Sequence, residues 1–278
     1  MNESQKFIDE LTLPLPKSDA PSVYAFSLHK SGSTLLFNML SELSKKLDYE
    51  YFSIQDKMFE YGIPPKESLK NTEELFSDKG YVYGGFRFFP KNYSIGEYSK
   101  YKSILLVRNP LDALVSMYFS AKSSHKIPKS GILKNIWLKK REETQKQSID
   151  EFVIASAEAH KERVMSYTEL LGSECCRLFR YEDIIYDKAE FLRDIADHYA
   201  WDVPTNILSE IAKKHDIFPG TEKSSEHVRQ VHPGNFKKNL QPETITYLQE
   251  IYKDVLEAFG YNPSAQSAFL RLISSQNV

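Results

Sequence analysis

Two short segments gather residues that could hold a strongly anionic ligand. The first, Ser27-Leu28-His29-Lys30-Ser31-Gly32-Ser33-Thr34-Leu35-Leu36, joins a β-prone run to a run with helical spacing. Gly32 allows close backbone approach, the N–H groups at the helix start point outward, and Lys30 adds a full charge. Ser31, Ser33 and Thr34 supply hydroxyl donors. The same residues also suit an ordinary βα turn, with Ser31 or Ser33 as the cap and Lys30 solvated. Their order is not that of a Walker A loop, G-x-x-x-x-G-K-[ST], because Lys30 precedes the turn's one glycine. That order, with Arg108 rather than an acidic residue ending the strand Ile104 to Val107, speaks against a metal-dependent nucleotide kinase. The second segment runs from Arg108 through Asn109-Pro110-Leu111-Asp112 to Ser116, with Pro110 suited to the first turn of a helix. Two helical turns separate Arg108 from Ser116, so both can approach one small anion. The alternative pairs Arg108 with Asp112 and leaves Ser116 on the helix surface.

The elements that must position these segments alternate. Strands are predicted at Val23 to Leu28, Tyr49 to Ile54, Tyr81 to Phe86, Ser103 to Val107 and Cys176 to Phe179. Helices are predicted at Thr34 to Leu47, Leu111 to Ser120, Ile149 to Leu171, Lys188 to Tyr199, Asn206 to His215 and Pro242 to Phe259. Such alternation gives a single α/β domain, a central parallel sheet flanked by helices, with ligands beyond the carboxyl ends of its strands. Residues 1–21, with prolines at 14, 16 and 21, read as an extended arm that packs little, and 22–278 as the domain. Two long polar stretches, Lys122 to Ser148 and Phe218 to Leu240, read as lid loops.

Composition bounds the function. The chain has 278 residues, 36 basic against 38 acidic, and a formal net charge of -2. That balance excludes a sequence-independent nucleic-acid binder, and any anionic ligand must be met by local charge. The two cysteines, Cys175 and Cys176, are adjacent and cannot staple distant segments. No apolar run approaches the ~18 residues of a membrane span, and the polar N-terminus lacks the features of a signal peptide. A soluble, cytoplasmic protein is expected.

Taken together, the two anion-holding segments resemble those of the sulfotransferases that use 3'-phosphoadenosine 5'-phosphosulfate (PAPS). Lys30-Ser31-Gly32-Ser33-Thr34 resembles the 5'-phosphosulfate loop of that family, and Arg108 through Ser116 its 3'-phosphate motif. Phe179-Arg180-Tyr181-Glu182-Asp183 and Arg229 through Leu240 follow in the same order, so the resemblance spans roughly Val23 to Tyr261. It implies a P-loop-NTPase-like sulfotransferase fold and a sulfuryl transfer that releases adenosine 3',5'-bisphosphate (PAP) without a metal. It also implies roles: Ser31 to Thr34 around the 5'-phosphosulfate, Lys30 at the bridging oxygen, Arg108 and Ser116 at the 3'-phosphate. Tyr181 would meet the adenine, and Arg229 would reach the 3'-phosphate from a lid.

The chain also departs from the family. Arg229-Gln230-Val231 stands where an Arg-Lys-Gly signature is usual, Gly234-Asn235-Phe236-Lys237 replaces Gly-Asp-Trp-Lys, and Leu35 replaces a stacking tryptophan. The dimer motif of animal cytosolic members is absent, so monomer and homodimer both stay open. Phe88 occupies the place of the usual basic histidine. Asp56 is the first candidate for the base that takes the acceptor's proton, ahead of Glu60 and His125; His29 is read as structural, and His227 and His232 as exposed. A fold that binds PAP without catalysis is the alternative reading. Residues 49 to 101 hold 14 of the chain's 34 Tyr and Phe residues, among them Phe59, Tyr61, Phe86, Phe88 and Phe89, which suits a ring-containing small-molecule acceptor. The acidic residues Asp56, Glu60, Glu67, Glu73, Glu74 and Asp78 point to a cationic or polyhydroxylated specialised metabolite.

Overall fold

Five parallel strands form one sheet in the order β2-β3-β1-β4-β5. The computed structural model describes residues 3–69, 72–91, 95, 98–218 and 231–261. The strands are β1 (Val23–Ser27), β2 (Glu50–Phe52), β3 (Tyr81–Phe86), β4 (Ser103–Val107) and β5 (Cys176–Arg180). Every residue of β1, β3 and β4 is buried, as central strands covered on both faces require. Period-two alternation divides them between two cores. Tyr24, Phe26, Leu105 and Val107 face one layer of helices, whereas Val23, Ala25, Ile104 and Leu106 face the other.

The helices are α1 (Glu3–Glu10), α2 (Ser33–Lys46), α3 (Ile54–Glu60), α4 (Pro110–Phe119), α5 (Gly131–Gln145), α6 (Ile149–Met165), α7 (Tyr181–Ile184), α8 (Lys188–Tyr199), α9 (Thr205–Lys214), α10 (Phe236–Asn239), α11 (Pro242–Ile251) and α12 (Lys253–Ala258). Each begins where its local chemistry allows. Ser53 caps α3, Asn109 caps α4 ahead of Pro110, Ser148 and Glu151 form a reciprocal capping box on α6, and Asp187 caps α8. The chain leaves β1 towards β2 on one side and β4 towards β5 on the other. The two neighbouring strands β1 and β4 therefore define the switch point where ligands of such sheets bind.

Three expectations need correction. The N-terminal arm is not wholly extended: α1 precedes the proline-rich stretch and Phe7 is 1% exposed, packed edge-on against Tyr61. The prolines forbid helix only after residue 13, and the preceding amphipathic turns find an apolar surface. Lys122 to Ser148 is not a loop but a π-helical turn (Ser120–Ser124) followed by α5. Its polar residues are good helix formers, and its start is pinned where Leu133 donates to the Gly62 carbonyl at 3.1 Å. The long C-terminal helix is two helices that meet at Tyr252.

Tyr252 is held by a buried polar contact. Its hydroxyl donates to the Ala157 carbonyl at 2.8 Å, so the Nδ1–H of His160, also at 2.8 Å, donates to the phenol oxygen. Burial, helped by the nearby Arg163 charge, lowers the His160 pKa to about 3. The unfolded chain takes up a proton near pH 6.5 that the folded chain refuses, so this contribution is complete above that pH and is lost as pH falls towards 3. Between pH 7 and 5, wild-type stability in urea should drop by ~2 kcal/mol more than that of His160→Gln, as measured by paired urea melts.

Candidate active site

The turn after β1 leaves the Ser31 hydroxyl without a hydrogen-bond partner among the described residues and the start of α2 without a side-chain cap. Lys30 (φ 70°) and Gly32 (φ 85°) both adopt left-handed backbone, curling the chain into the start of α2. A side chain at Gly32 would be strained by that φ and would also lie 2.8 Å from the Tyr181 ring. No side chain caps α2, and its first turn holds no acidic residue, so the helix start is available to an anion. Ser33 is buried and Thr34 exposed. The Ser31 hydroxyl is buried with no hydrogen-bond partner among the described residues, and so is Nδ1 of His29. Burial first, and the Lys30 charge second, hold the His29 imidazole well below its usual pKa. A buried, neutral imidazole fits the structural role expected of it.

Arg108 leaves the end of β4 directly opposite this turn. Its guanidinium is buried, reaches the Lys30 carbonyl at 3.5 Å, and stacks 4.5 Å from the centroid of the Tyr181 ring. Asp112, one helical turn on and 1% exposed, sits 3.8 Å away. Ser116 lies one further turn along the same stripe of α4, half-buried. The Arg108–Asp112 pairing is thus present, and it does not use up the arginine, whose Nε is buried without a partner among the described residues.

Asp112 does a second thing that its spacing did not reveal. Its carboxylate accepts the Gly234 N–H at 2.7 Å and the Phe236 N–H at 2.9 Å, anchoring the stretch Val231 to Leu240. Tyr181 holds the same stretch, donating to the Val231 carbonyl at 2.8 Å, and burial pushes its phenol up to about 12. Tyr181 therefore packs between Gly32 and Arg108. Glu182 accepts the Asn109 N–H at 2.9 Å and the Tyr261 hydroxyl at 2.7 Å, tying β4 to the end of α12. Arg229, Gln230 and His227 lie outside the described residues, whereas His232 stacks with Tyr186.

Beyond β3 the other expected residue appears in company. Gly85 (φ 75°) lets the start of α3 rest on the strand end, for a Cβ there would meet Ser53 Oγ at 1.8 Å and Asp56 Oδ2 at 3.0 Å. Asp56 Oδ1 accepts from the Arg87 guanidinium at 2.5 Å. Gln55, 2% exposed, clamps the next residues: its Oε1 accepts the N–H groups of Arg87 and Phe88, and its amide donates to the Phe88 carbonyl at 2.7 Å. His125 stacks on Trp137 at 3.5 Å and meets Phe59 edge-on. Glu60 pairs with Lys57 at the surface.

The sulfotransferase family model matches residues 18–262. The chain belongs to the sulfotransferase family. Its fold is similar to that of the mouse sulfotransferase SULT7A1 complexed with PAP, at 16% identity with a TM-score of 0.60, over 98% of this chain and 94% of that one. Retinol dehydratase in complex with retinol and PAP matches at 14% identity and a TM-score of 0.48, over 90% and 86% of the two chains. A sulfotransferase from Alicyclobacillus acidocaldarius matches at 13% and 0.45, over 90% and 96%. Among curated proteins none matches the chain.

In this sulfotransferase the sequence alone does not single out Gln55, Arg87 and Arg163, which the fold brings to the segment after β3, or Trp137 and Lys140 on α5. Gln55 could have been found only as a polar residue at a buried helix position. A cavity of about 450 Å³ opens instead beside β5, lined by Arg177, Arg180, Asp183 and Asp194 among others. Its arginines are committed to Asp194 and Asp183, and it lies away from the switch point. Among the described residues no group of three His, Cys, Asp or Glu side chains could hold a metal ion, and no helix is long and apolar enough to cross a membrane. Replacing Asp112 by Ala would strand a buried cation and two backbone donors. The Asp112→Ala protein should lose about 3 kcal/mol in urea melts and be cut sooner by protease within Val231 to Leu240.

Proposed function

We propose that the protein is a PAPS-dependent sulfotransferase that moves a sulfuryl group to a hydroxyl or amine of a small-molecule acceptor. The observation that carries this reading is the meeting of the uncapped α2 turn with the buried, underused Arg108 at one switch point. A nucleotide carrying a phosphate at each end of its ribose fits that pair of anion sites, and the related mouse structure holds PAP. PAPS supplies an activated sulfuryl group when bound. Ser31 to Thr34 and the start of α2 would hold the 5'-side oxygens, Arg108 and Ser116 the 3'-phosphate, and Arg229, outside the described residues, would add to that grip. Lys30 would stabilise the negative charge that develops on the departing nucleotide. Asp56, steadied by Arg87 on one oxygen, takes the acceptor's proton on the other. Tyr181 supports the phosphate turn and borders the nucleotide.

Phe59, Phe88 and Trp137 provide walls for a ring-containing specialised metabolite. A polyhydroxylated acceptor fits this reading. The ground for a cationic one has weakened: Asp56 and Glu60 pair with Arg87 and Lys57, and Asp78 bonds to Tyr101 at the amino end of β3. The free thiols Cys175 and Cys176 suit a reducing, cytoplasmic setting.

Lys30→Ala should abolish transfer from labelled PAPS with an unchanged melting temperature, and Arg108→Ala should weaken PAP binding about tenfold to a hundredfold in calorimetry. A wild-type protein that fails to bind PAP refutes the reading; one that binds PAP yet sulfates nothing in a broad acceptor screen is the non-catalytic alternative. Asp56→Asn should lower kcat by ~10²–10⁴-fold at unchanged PAP affinity. Full kcat in that variant would remove Asp56 from the role of base.

A further inference from the structure

Arg163, on α6, is a half-buried cation to which the described residues offer no ion pair, the exposed Glu162 acting on it only from beyond contact distance. Its Nε is buried without a partner, and its side chain forms no hydrogen bond or ion pair among the described residues. Each of the other described arginines has a carboxylate or carbonyl: Arg87, Arg108, Arg141, Arg177, Arg180 and Arg193. The guanidinium of Arg163 instead lies over the Phe88 ring, 4.4 Å from its centroid. Gln55 fixes that ring from behind through the Phe88 backbone. Because Phe26 pairs with Phe86, the chain after β1 and the chain after β3 leave the sheet side by side. Arg163 therefore stands next to the Lys30 turn, on the side away from Arg108. Lys140, 5.4 Å from the Trp137 ring centroid and 5.9 Å from that of Phe152, likewise forms no ion pair among the described residues.

Two like charges drawn out of water with no described carboxylate in ion-pair contact are unfavourable, and an anionic ligand would relieve that cost. Burial first, and Arg163 second, lower the Lys140 pKa, as expected of two cations near one another. A guanidinium with its N–H fork unspent matches the two oxygens of a carboxylate.

We propose that Arg163, with Lys140 beside it, binds a carboxylate of the acceptor on the Phe88 platform and so selects acidic, ring-containing acceptors. The inference rests on the PAPS-dependent reading of the neighbouring turn. Arg163 is a specificity residue here, and it neither touches the nucleotide nor moves a proton.

The test is calorimetry on full-length protein saturated with PAP, with 4-hydroxyphenylacetate, its methyl ester and tyramine as probes. Wild type should bind the acid roughly tenfold or more tightly than the ester or the amine. Arg163→Ala should erase that preference, Arg163→Lys should keep part of it, and Lys140→Met should reduce it, all with wild-type PAP affinity and melting temperature. Equal binding of the three probes, absence of acid binding to the PAP-saturated protein, or acid binding unchanged in both Arg163 variants overturns the inference and leaves the nucleotide reading standing. Failure of wild type to bind PAP removes both.

Discussion

The burial of one guanidinium, that of Arg108, organises the nucleotide side of this sulfotransferase. A cation taken out of water must be met by fixed dipoles, charge or a π face, or it costs several kcal/mol. Arg108 is met by three elements at once: the Lys30 carbonyl, the Asp112 carboxylate and the Tyr181 ring. Each partner has another commitment, Lys30 to the left-handed turn, Asp112 to the N–H groups of Gly234 and Phe236, Tyr181 to Gly32 and the Val231 carbonyl. The phosphate turn, the start of α4 and the stretch Val231 to Leu240 are thereby set relative to a single charge. Asp112 keeps two backbone donors whether or not an anion draws on Arg108, so the arginine can serve a ligand without leaving a carboxylate stranded.

Much of this was legible in the sequence, and the reason is physical. β1, β3 and β4 are near-continuous apolar runs because both faces of a parallel sheet are covered, and α2 and α8 show apolar residues at helical spacing. The glycine, lysine and hydroxyl residues of the first turn announce an anion site because few other demands gather them in that order. What stayed hidden was non-local. Gln55 reads as one polar residue just after a predicted strand, and only the folded chain shows it bonding to Arg87 and Phe88 some thirty residues away. Arg163 reads as a surface charge on α6 until Phe88 is placed beneath it. Asp112 was visible as an i,i+4 partner of Arg108, but its reach to Gly234 spans 122 positions and leaves no mark in spacing. The helix α5 escapes the sequence for a different reason: Ile132, Ile136 and Leu138 face solvent and only Leu133 and Thr144 are buried, so its apolar residues trace no buried stripe.

Electrostatically the two halves of the site differ. Around Arg108 the positive charge is balanced by a buried carboxylate, which tempers the pull on an anion. Around Phe88 it is not, since Asp56 is engaged by Arg87 and no described carboxylate forms an ion pair with Arg163 or Lys140, the exposed Glu162 acting on Arg163 only from beyond that distance. The net charge of -2 conceals this, because it counts exposed pairs such as Lys57–Glu60 and Lys146–Glu142 equally with the buried cations. Solvent screens those pairs strongly and the interior charges weakly, so the few buried cations govern what the site attracts.

The placement of unsatisfied groups supports the same location. Among the described residues, Ser31 Oγ, His29 Nδ1, Arg108 Nε, Arg163 Nε and the Tyr51 hydroxyl are buried polar atoms without hydrogen-bond partners, and Ser18 and Trp201 supply the scattered exceptions. Elsewhere the fold satisfies such groups with care, as the Tyr252–His160 contact and the Tyr199 hydroxyl donating to the Tyr24 carbonyl show. Each orphaned group costs on the order of 1–3 kcal/mol, a burden that selection for stability alone would remove by apolar substitution. Their concentration beyond β1, β3 and β4, together with the left-handed Lys30, is the pattern of a surface shaped by what it binds. The stability forgone there is supplied by the two cores that sandwich the sheet, which is why a site this demanding sits at the ends of the most completely buried strands.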